Sequence, residues 1–199
     1  MSEAAAILFG EEEIRRRVRE LGEAITRDYA DHPPVLITML KGGVVFLADL
    51  IRCIDLPLRV DFMSISSYGR GSEATGGVVR ILKDLDHDIG NDHVLIVEDS
   101  VDTGLTLSYL MTALQARNPA GLHICALLDK SARRITPLHI GYRGFECPDQ
   151  FVVGYGLDHQ ERYRNLPFIL GVQDPATASA AVDAYLAGMM MQSGTGPST

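Results

Sequence analysis

Residues 94–107 read Val-Leu-Ile-Val-Glu-Asp-Ser-Val-Asp-Thr-Gly-Leu-Thr-Leu. Four apolar residues run straight into two adjacent carboxylates, Glu98 and Asp99. Asp102 follows three residues after Asp99, then the small-residue turn Thr103-Gly104, then an apolar pattern with helical spacing. The stretch predicts a buried strand that ends in acids and a loop that opens a helix. A helix start offers several N–H donors to an anion, Gly104 permits close backbone approach, and Thr103 and Thr106 add hydroxyls. Glu98 and Asp99 repel each other unless water, sugar hydroxyls or Mg²⁺ neutralise them. The combination suits a ligand with a phosphate at one end and sugar hydroxyls or a metal at the other. Taken without the acids upstream, Asp102–Thr106 reads equally well as a helix cap, with Asp102 or Thr103 accepting an N–H.

Working outward, Ile14, Val18, Leu21 and Ile25 predict an amphipathic helix from about Glu11 to Asp28, stopped by Pro33-Pro34. Strands are expected over Val35–Leu40, Leu58–Ser66, Val78–Leu82, His93–Val97, Leu122–Leu128 and Phe151–Tyr155, with helices over Val44–Ile54 and Leu105–Arg117. Alternating strands and helices imply right-handed crossovers and a mainly parallel sheet covered on both faces. Ligands of such folds bind at the carboxyl ends of the strands. Lys41-Gly42-Gly43, Glu98-Asp99 and Asp129-Lys130 all fall at such ends. Two glycines beside Lys41 suit a pyrophosphate, and a plain strand-to-helix turn fits them as well. Of the three lysines, Lys41, Lys83 and Lys130, two sit at these ends. Residues 67–77 are polar and hold Gly69, Gly71, Gly76 and Gly77, a composition expected of a lid. Phe151 can stack on a flat base, Asp158 can hold a metal, and Arg164 can grip a phosphate bidentately. An ordinary strand followed by a charged turn explains that segment too.

The 199 residues allow one sizeable core, expected as one domain over 1–174. An extension, 175–199, is expected to form a short helix around Val182–Met190 and then disorder from Ser193. A hydrophobic content of 46% and a charged content of 22% are ordinary for a soluble protein. The net charge of −8 argues against a broad nucleic-acid surface. No apolar run approaches the roughly 18 residues of a membrane span, and Met1-Ser2-Glu3-Ala4 lacks a signal peptide's regions. Cys53, Cys125 and Cys147 are far apart, which with the rest points to the cytoplasm. The six histidines show no metal-site spacing.

Together these residues resemble the type I phosphoribosyltransferase family in its hypoxanthine-guanine branch. Val94–Leu107 is similar to the family's phosphoribosyl pyrophosphate signature. Phe151–Asp158 resembles the purine segment of the 6-oxopurine branch, and the similarity runs from about Ile14 to Val172. The resemblance implies an α/β fold, a mainly parallel twisted sheet flanked by helices, with a small hood built from N- and C-terminal segments. It implies purine salvage: transfer of the 5-phosphoribosyl group from phosphoribosyl pyrophosphate to hypoxanthine and/or guanine, with Mg²⁺ as cofactor. Glu98 and Asp99 would engage the ribose hydroxyls directly or through Mg²⁺, and Asp102 would be the general base or acid. Thr103, Gly104, Leu105 and Thr106 would hold the 5′-phosphate. Lys41, Gly42 and Arg164 would take the pyrophosphate, and a cis peptide often precedes the family's lysine. Lys130, Phe151 and Val152 would hold the purine, Ser67 and Tyr68 would belong to the lid, and Asp158 would bind a second Mg²⁺. The family forms homodimers or homotetramers, with no nucleic acid and no membrane as partner. A regulator with this fold that binds nucleotides and RNA or DNA is the alternative. Ser100, where family members usually carry a larger aliphatic, the tail beyond Pro175 and the segment before Ile14 depart from the pattern.

Overall fold

The structure, a computed structural model, describes residues 4–68 and 78–193. The chain divides into two compact units: residues 15–149, and residues 1–14 with 150–199. In chain order the elements are β1 (Ala5–Phe9), α1 (Glu11–Asp28), β2 (Val35–Met39), α2 (Gly43–Ile51), β3 (Arg59–Tyr68) and β4 (Val78–Lys83). Then follow β5 (His93–Val101), α3 (Leu105–Gln115), β6 (Gly121–Asp129), β7 (Tyr142–Glu146), β8 (Phe151–Val153), β9 (Ile169–Val172) and α4 (Ala178–Ser193).

The larger unit is an α/β layer. Its six strands lie in the order β4-β3-β2-β5-β6-β7, all neighbours parallel except β3 and β4. The apolar runs are what a sheet buried on both faces requires. Every residue of β2 is buried, as are Val94–Val97 in β5 and Ile124–Leu128 in β6. Thr38, fully buried in β2, donates its hydroxyl to the Val97 carbonyl at 2.7 Å, so it satisfies its own polarity inside the sheet. In α1, Val18, Leu21 and Ile25 are buried, and acids at Glu11–Glu13 with Arg27 in the last turn suit the helix dipole. On one sheet face Val35, Ile37, Val94, Ile96 and Ile124 pack with Leu107, Leu110 and Leu114 of α3.

From β2 the sheet grows outward through β3 and β4 on one side, and the chain then resumes with β5 on the other side of β2. This reversal between β2 and β5 is a topological switch point, where loops leaving adjacent strands part and open a crevice. The loops after β2 and β5 carry Lys41-Gly42 and Asp102–Gly104, and Leu105 and Thr106 begin α3.

The smaller unit is a three-stranded antiparallel sheet, β1-β9-β8, drawn from both terminal segments. Its core joins Val153, Leu170 and Val172 to Ala178, Ala181 and Val182 of α4. The tail helix runs 16 residues, longer than its spacing suggested. No helix among the described residues is long and apolar enough to cross a membrane.

Several boundaries differ from the sequence reading. β5 continues through Glu98, Asp99 and Ser100 to Val101, because pairing with β6 persists to Asp129. The acids therefore lie within the strand rather than beyond it. β8 stops at Val153, where Gly154, Tyr155 and Gly156 all take positive φ, conformations a strand cannot contain. β1, β7 and β9 were not anticipated. Each is five residues or fewer, and β7 (Tyr-Arg-Gly-Phe-Glu) is a polar edge strand with no apolar run. Arg17 of α1 secures it by donating to the carbonyls of Arg143 and Gly144 at 2.7 and 2.9 Å.

Candidate active site

β5 sets the geometry. Alternation along a strand sends Glu98 and Ser100 to one face and Asp99 to the other. Glu98, Ser100, Asp102, Thr103, Gly104 and Thr106 line one cleft of about 250 Å³. Asp99 turns instead toward the loop after β2. A Cβ built on Gly42 would overlap the Asp99 carboxylate, so the end of β5 meets the loop after β2 at that glycine. Asp99 Oδ1 also accepts the Ser100 N–H at 2.7 Å. The Leu40–Lys41 peptide is cis, and Lys41 is exposed on the same loop.

Glu98 is half-buried on the cleft. Loss of solvent around it, reinforced by the charge of Asp99, raises its carboxyl well above the usual carboxylate range. A raised carboxyl makes the folded chain bind the proton more readily than the unfolded one. Its stabilising effect is therefore complete below the unfolded value of about 4.5 and is lost as pH rises through the folded value. Above that window the ligand-free protein carries an unfavourable charge. Glu98→Gln is accordingly expected to raise Tm at pH 8, by about 2–4 °C for each kcal/mol relieved in a chain of this size. The gain should shrink toward pH 4.5. Thermal melts at both pH values check it, and a gain confined to acid pH would reject the assignment.

Gly104, at φ 83°, opens α3, and no side chain caps the helix. Neither Asp102 nor Thr103 acts as the N-cap, although Leu105 N–H leans on Thr103 Oγ1 at 3.4 Å. The first turn of α3 thus presents its N–H groups toward the loop, as an anion site requires. The loop is braced from below by residues 131–138. Ile135 and Thr136 donate their N–H groups to the Thr103 carbonyl at 2.9 and 3.2 Å. Arg134 donates to the carbonyls of Asp102 and Val101 at 3.0 and 3.2 Å and pairs with buried Asp129. A Cβ on Gly104 would crowd Leu138 at 2.9 Å and the Thr136 carbonyl at 3.2 Å.

Lys130 is 5% exposed, so the surface-charge reading of it does not hold. Its Nζ lies 3.8 Å from Asp102 Oδ1, and its N–H donates to the Val101 carbonyl at 3.0 Å. Asp102 Oδ2 accepts from Arg133 Nη1 at 3.1 Å, while Oδ1 is shielded and makes no hydrogen bond. Arg133 and Arg134 were not singled out in the sequence, although an Arg-Arg pair three residues past Lys130 was the available signal.

In the smaller unit, Phe151 begins β8 and meets His159 edge-on at 5.5 Å, and Val152 is buried. Asp158 and Arg164, assigned separately to a metal and to pyrophosphate, are bonded to each other at 2.8 Å. Asp158 Oδ2 also accepts the Glu161 N–H at 2.9 Å, and Arg164 Nη1 donates to the Gly156 carbonyl at 2.7 Å. Of the lid, Ser67 and Tyr68 close β3, and residues 69–77 lie outside the described residues.

A braced turn at a helix start thus follows two acids on the preceding strand and stands across the switch point from a glycine loop. The phosphoribosyl transferase domain model matches residues 8–160. The chain belongs to the phosphoribosyl transferase domain family. It is 49% identical over 170 residues to a hypoxanthine-guanine phosphoribosyltransferase of Bacillus subtilis, covering 85% of this chain and 93% of that one. It is 50% identical over 176 residues to the hypoxanthine-guanine phosphoribosyltransferase of Mycobacterium tuberculosis, covering 85% and 86%. The crystal structure of a Staphylococcus aureus hypoxanthine phosphoribosyltransferase superposes with a TM-score of 0.82 at 46% identity, covering 86% of this chain and 92% of that one. The phosphoribosyltransferase fold expected from the sequence is therefore the observed one, a central sheet flanked by helices.

Proposed function

We propose that this phosphoribosyltransferase is a purine-salvage transferase, a glycosyltransferase acting on pentosyl groups. It would move the 5-phosphoribosyl group from phosphoribosyl pyrophosphate to hypoxanthine and/or guanine, giving IMP or GMP and pyrophosphate. The carrying observation is the cleft that sets the open start of α3 beside Glu98 and Asp102, with buried Lys130 next to Asp102. An ammonium can only donate, which favours a 6-oxo group on the base over a 6-amino group.

The roles are those the family resemblance implies, and the chemistry of each position suits them. Thr103, Gly104, Leu105 and Thr106 hold the 5′-phosphate. Glu98 and Asp99 accept from the ribose hydroxyls. Lys41, the Gly42 backbone and Arg164 bind pyrophosphate. Phe151 stacks on the purine, the Val152 backbone reads its edge, and Lys130 donates to its 6-oxo group. In the reaction the purine nitrogen forms a bond to C1′ as the C1′–oxygen bond to pyrophosphate breaks. The ring N–H proton passes to Asp102, within reach of the cleft. The phosphate turn and the carboxylates fix the ribose for in-line displacement. Ser67 and Tyr68 would belong to a lid that keeps water from the activated sugar.

The residues fit Mg²⁺. Among the described residues no group of three or more His, Cys, Asp or Glu side chains forms a cage for a metal. Magnesium seldom needs one, because one or two carboxylates with substrate oxygens and water complete its shell. Glu98 and Asp99 would supply the first carboxylates, and Asp158 a second site on the lone pairs that Arg164 and Glu161 leave. When bound, the ion would neutralise charge on the leaving pyrophosphate. A homodimer or homotetramer in the cytoplasm belongs to the same reading.

An ultraviolet assay of hypoxanthine, guanine, xanthine and adenine with phosphoribosyl pyrophosphate and Mg²⁺ tests it. Turnover of hypoxanthine or guanine, with adenine poor, is the expected result. No turnover of any 6-oxopurine would reject it.

A further inference from the structure

Arg133 stands between two carboxylates. Its Nη1 donates to Asp102 Oδ2 at 3.1 Å, and its Nε lies 3.5 Å from Asp149 Oδ1. The other oxygen of Asp102 faces inward, shielded from solvent and 3.8 Å from the Lys130 ammonium. The Asp102 side chain is nevertheless 43% exposed, so the oxygen that a ligand in the cleft can reach is Oδ2. A carboxylate oxygen offers two lone-pair directions. The guanidinium takes one and leaves the other.

The carboxyl torsion of an aspartate is broad, and nothing but its neighbours decides which edge it presents. A proton acceptor must sit within hydrogen-bond reach of its donor, and a misplacement of about 1 Å can cost about 10²-fold in rate. Arg133 is well placed to supply that constraint. Its backbone closes the short 3₁₀ turn Ser131–Arg133 through an N–H bond to the Lys130 carbonyl at 3.0 Å. Arg134 next to it is pinned to the carbonyls of Val101 and Asp102. The guanidinium therefore reaches Asp102 from the same brace that supports the phosphate turn.

We propose that Arg133 is a positioning residue for Asp102, fixing the rotation of its carboxylate so that Oδ2 presents its free edge to the purine, and that Asp149 holds Arg133 in that pose. The inference rests on the reading of Asp102 as the group that takes the purine proton.

The test assays wild type, Arg133→Gln, Arg133→Lys, Asp149→Asn and the double variant Arg133→Gln/Asp149→Asn, with thermal melts alongside. Loss of a hydrogen bond to a charged group predicts that Arg133→Gln lowers kcat about ten- to a hundred-fold. KM for phosphoribosyl pyrophosphate and Tm should barely move, since the phosphate turn is held by Arg134 and by backbone bonds. Arg133→Lys should recover most of the rate. Asp149→Asn, breaking an exposed pair, should lose about two- to five-fold, and that loss should vanish in the Arg133→Gln background. A wild type that turns over no purine would sink the functional reading and this inference with it. With wild-type turnover in hand, any of three results overturns the inference alone: kcat of Arg133→Gln within two-fold of wild type, additive losses in the double variant, or a kcat loss matched by a rise in donor KM.

Discussion

Asp102→Asn is expected to lower kcat by about 10²–10⁴, the usual range for a general acid–base group, while phosphoribosyl pyrophosphate binds as before. The substitution keeps the shape of the side chain. An amide oxygen still accepts from Arg133, so the loop keeps its outer bond, but an amide takes no proton from a purine nitrogen. Donor binding should survive because the turn is held through main chain. The Asp102 carbonyl accepts from Arg134, and the Thr103 carbonyl accepts from Ile135 and Thr136. A second, smaller effect follows from Lys130. Its ammonium is buried and nearest to Asp102 Oδ1, so a neutral Asn leaves a buried cation with less compensation. Because Asp102 itself is partly open to solvent, that effect is discounted to a few degrees in Tm. Steady-state kinetics with varied donor and purine, with a melt of the same preparation, separate the two effects. Near-normal kcat would remove Asp102 from the chemistry. A large rise in donor KM would mean that the phosphate turn had moved.

The strand signals of the larger unit were legible where burial on both faces writes a long apolar run, as in β2, β5 and β6. The anion turn was legible because it is local: Asp102, Thr103, Gly104 and Thr106 act through groups within five residues of each other. What supports the turn was not. Arg134 reaches it from about 30 positions away in sequence, and Arg17 secures β7 across more than 120, and no periodicity records such pairings. A hood from both terminal segments was expected, but two of its three strands escaped notice for a related reason. β1 and β9 are short and gain meaning only from each other, Ala5 pairing with Val172. The ion pair between Asp158 and Arg164 was missed because each was read alone, and the sharp positive-φ turns between them, which bring their charges together, leave no pattern in hydrophobicity. The acid pair Glu98-Asp99 was found for its composition, yet the division of labour between the two came only with the register of β5. One lines the cleft and the other faces Gly42.

That division gives the second large effect. Gly42→Ala should lower kcat/KM for phosphoribosyl pyrophosphate by about 10²-fold and leave Tm within a few degrees of wild type. The added methyl would occupy the place of the Asp99 carboxylate. Asp99 is a short, half-buried side chain facing the loop after β2, so it can swing aside without disturbing the core, but it then leaves the position proposed for ribose or Mg²⁺ and gives up its bond from Ser100 N–H. The neighbouring glycine is the control. A methyl on Gly43 would overlap the Thr38 hydroxyl and press on the Val97 carbonyl at 3.3 Å. Thr38 is fully buried and bonded to that same carbonyl, so neither has room to move. Overpacking of about 1–3 kcal/mol, plus a broken buried hydrogen bond, predicts that Gly43→Ala loses about 4–12 °C in Tm. Two adjacent glycines would thus fail in different currencies, one in donor use and the other in stability. If Gly42→Ala kept its donor KM and kcat, Asp99 would not be held against that loop in the working enzyme. If instead it melted as early as Gly43→Ala, Gly42 would be a packing residue and the shared grip of β5 and the glycine loop on the donor would lose its foundation.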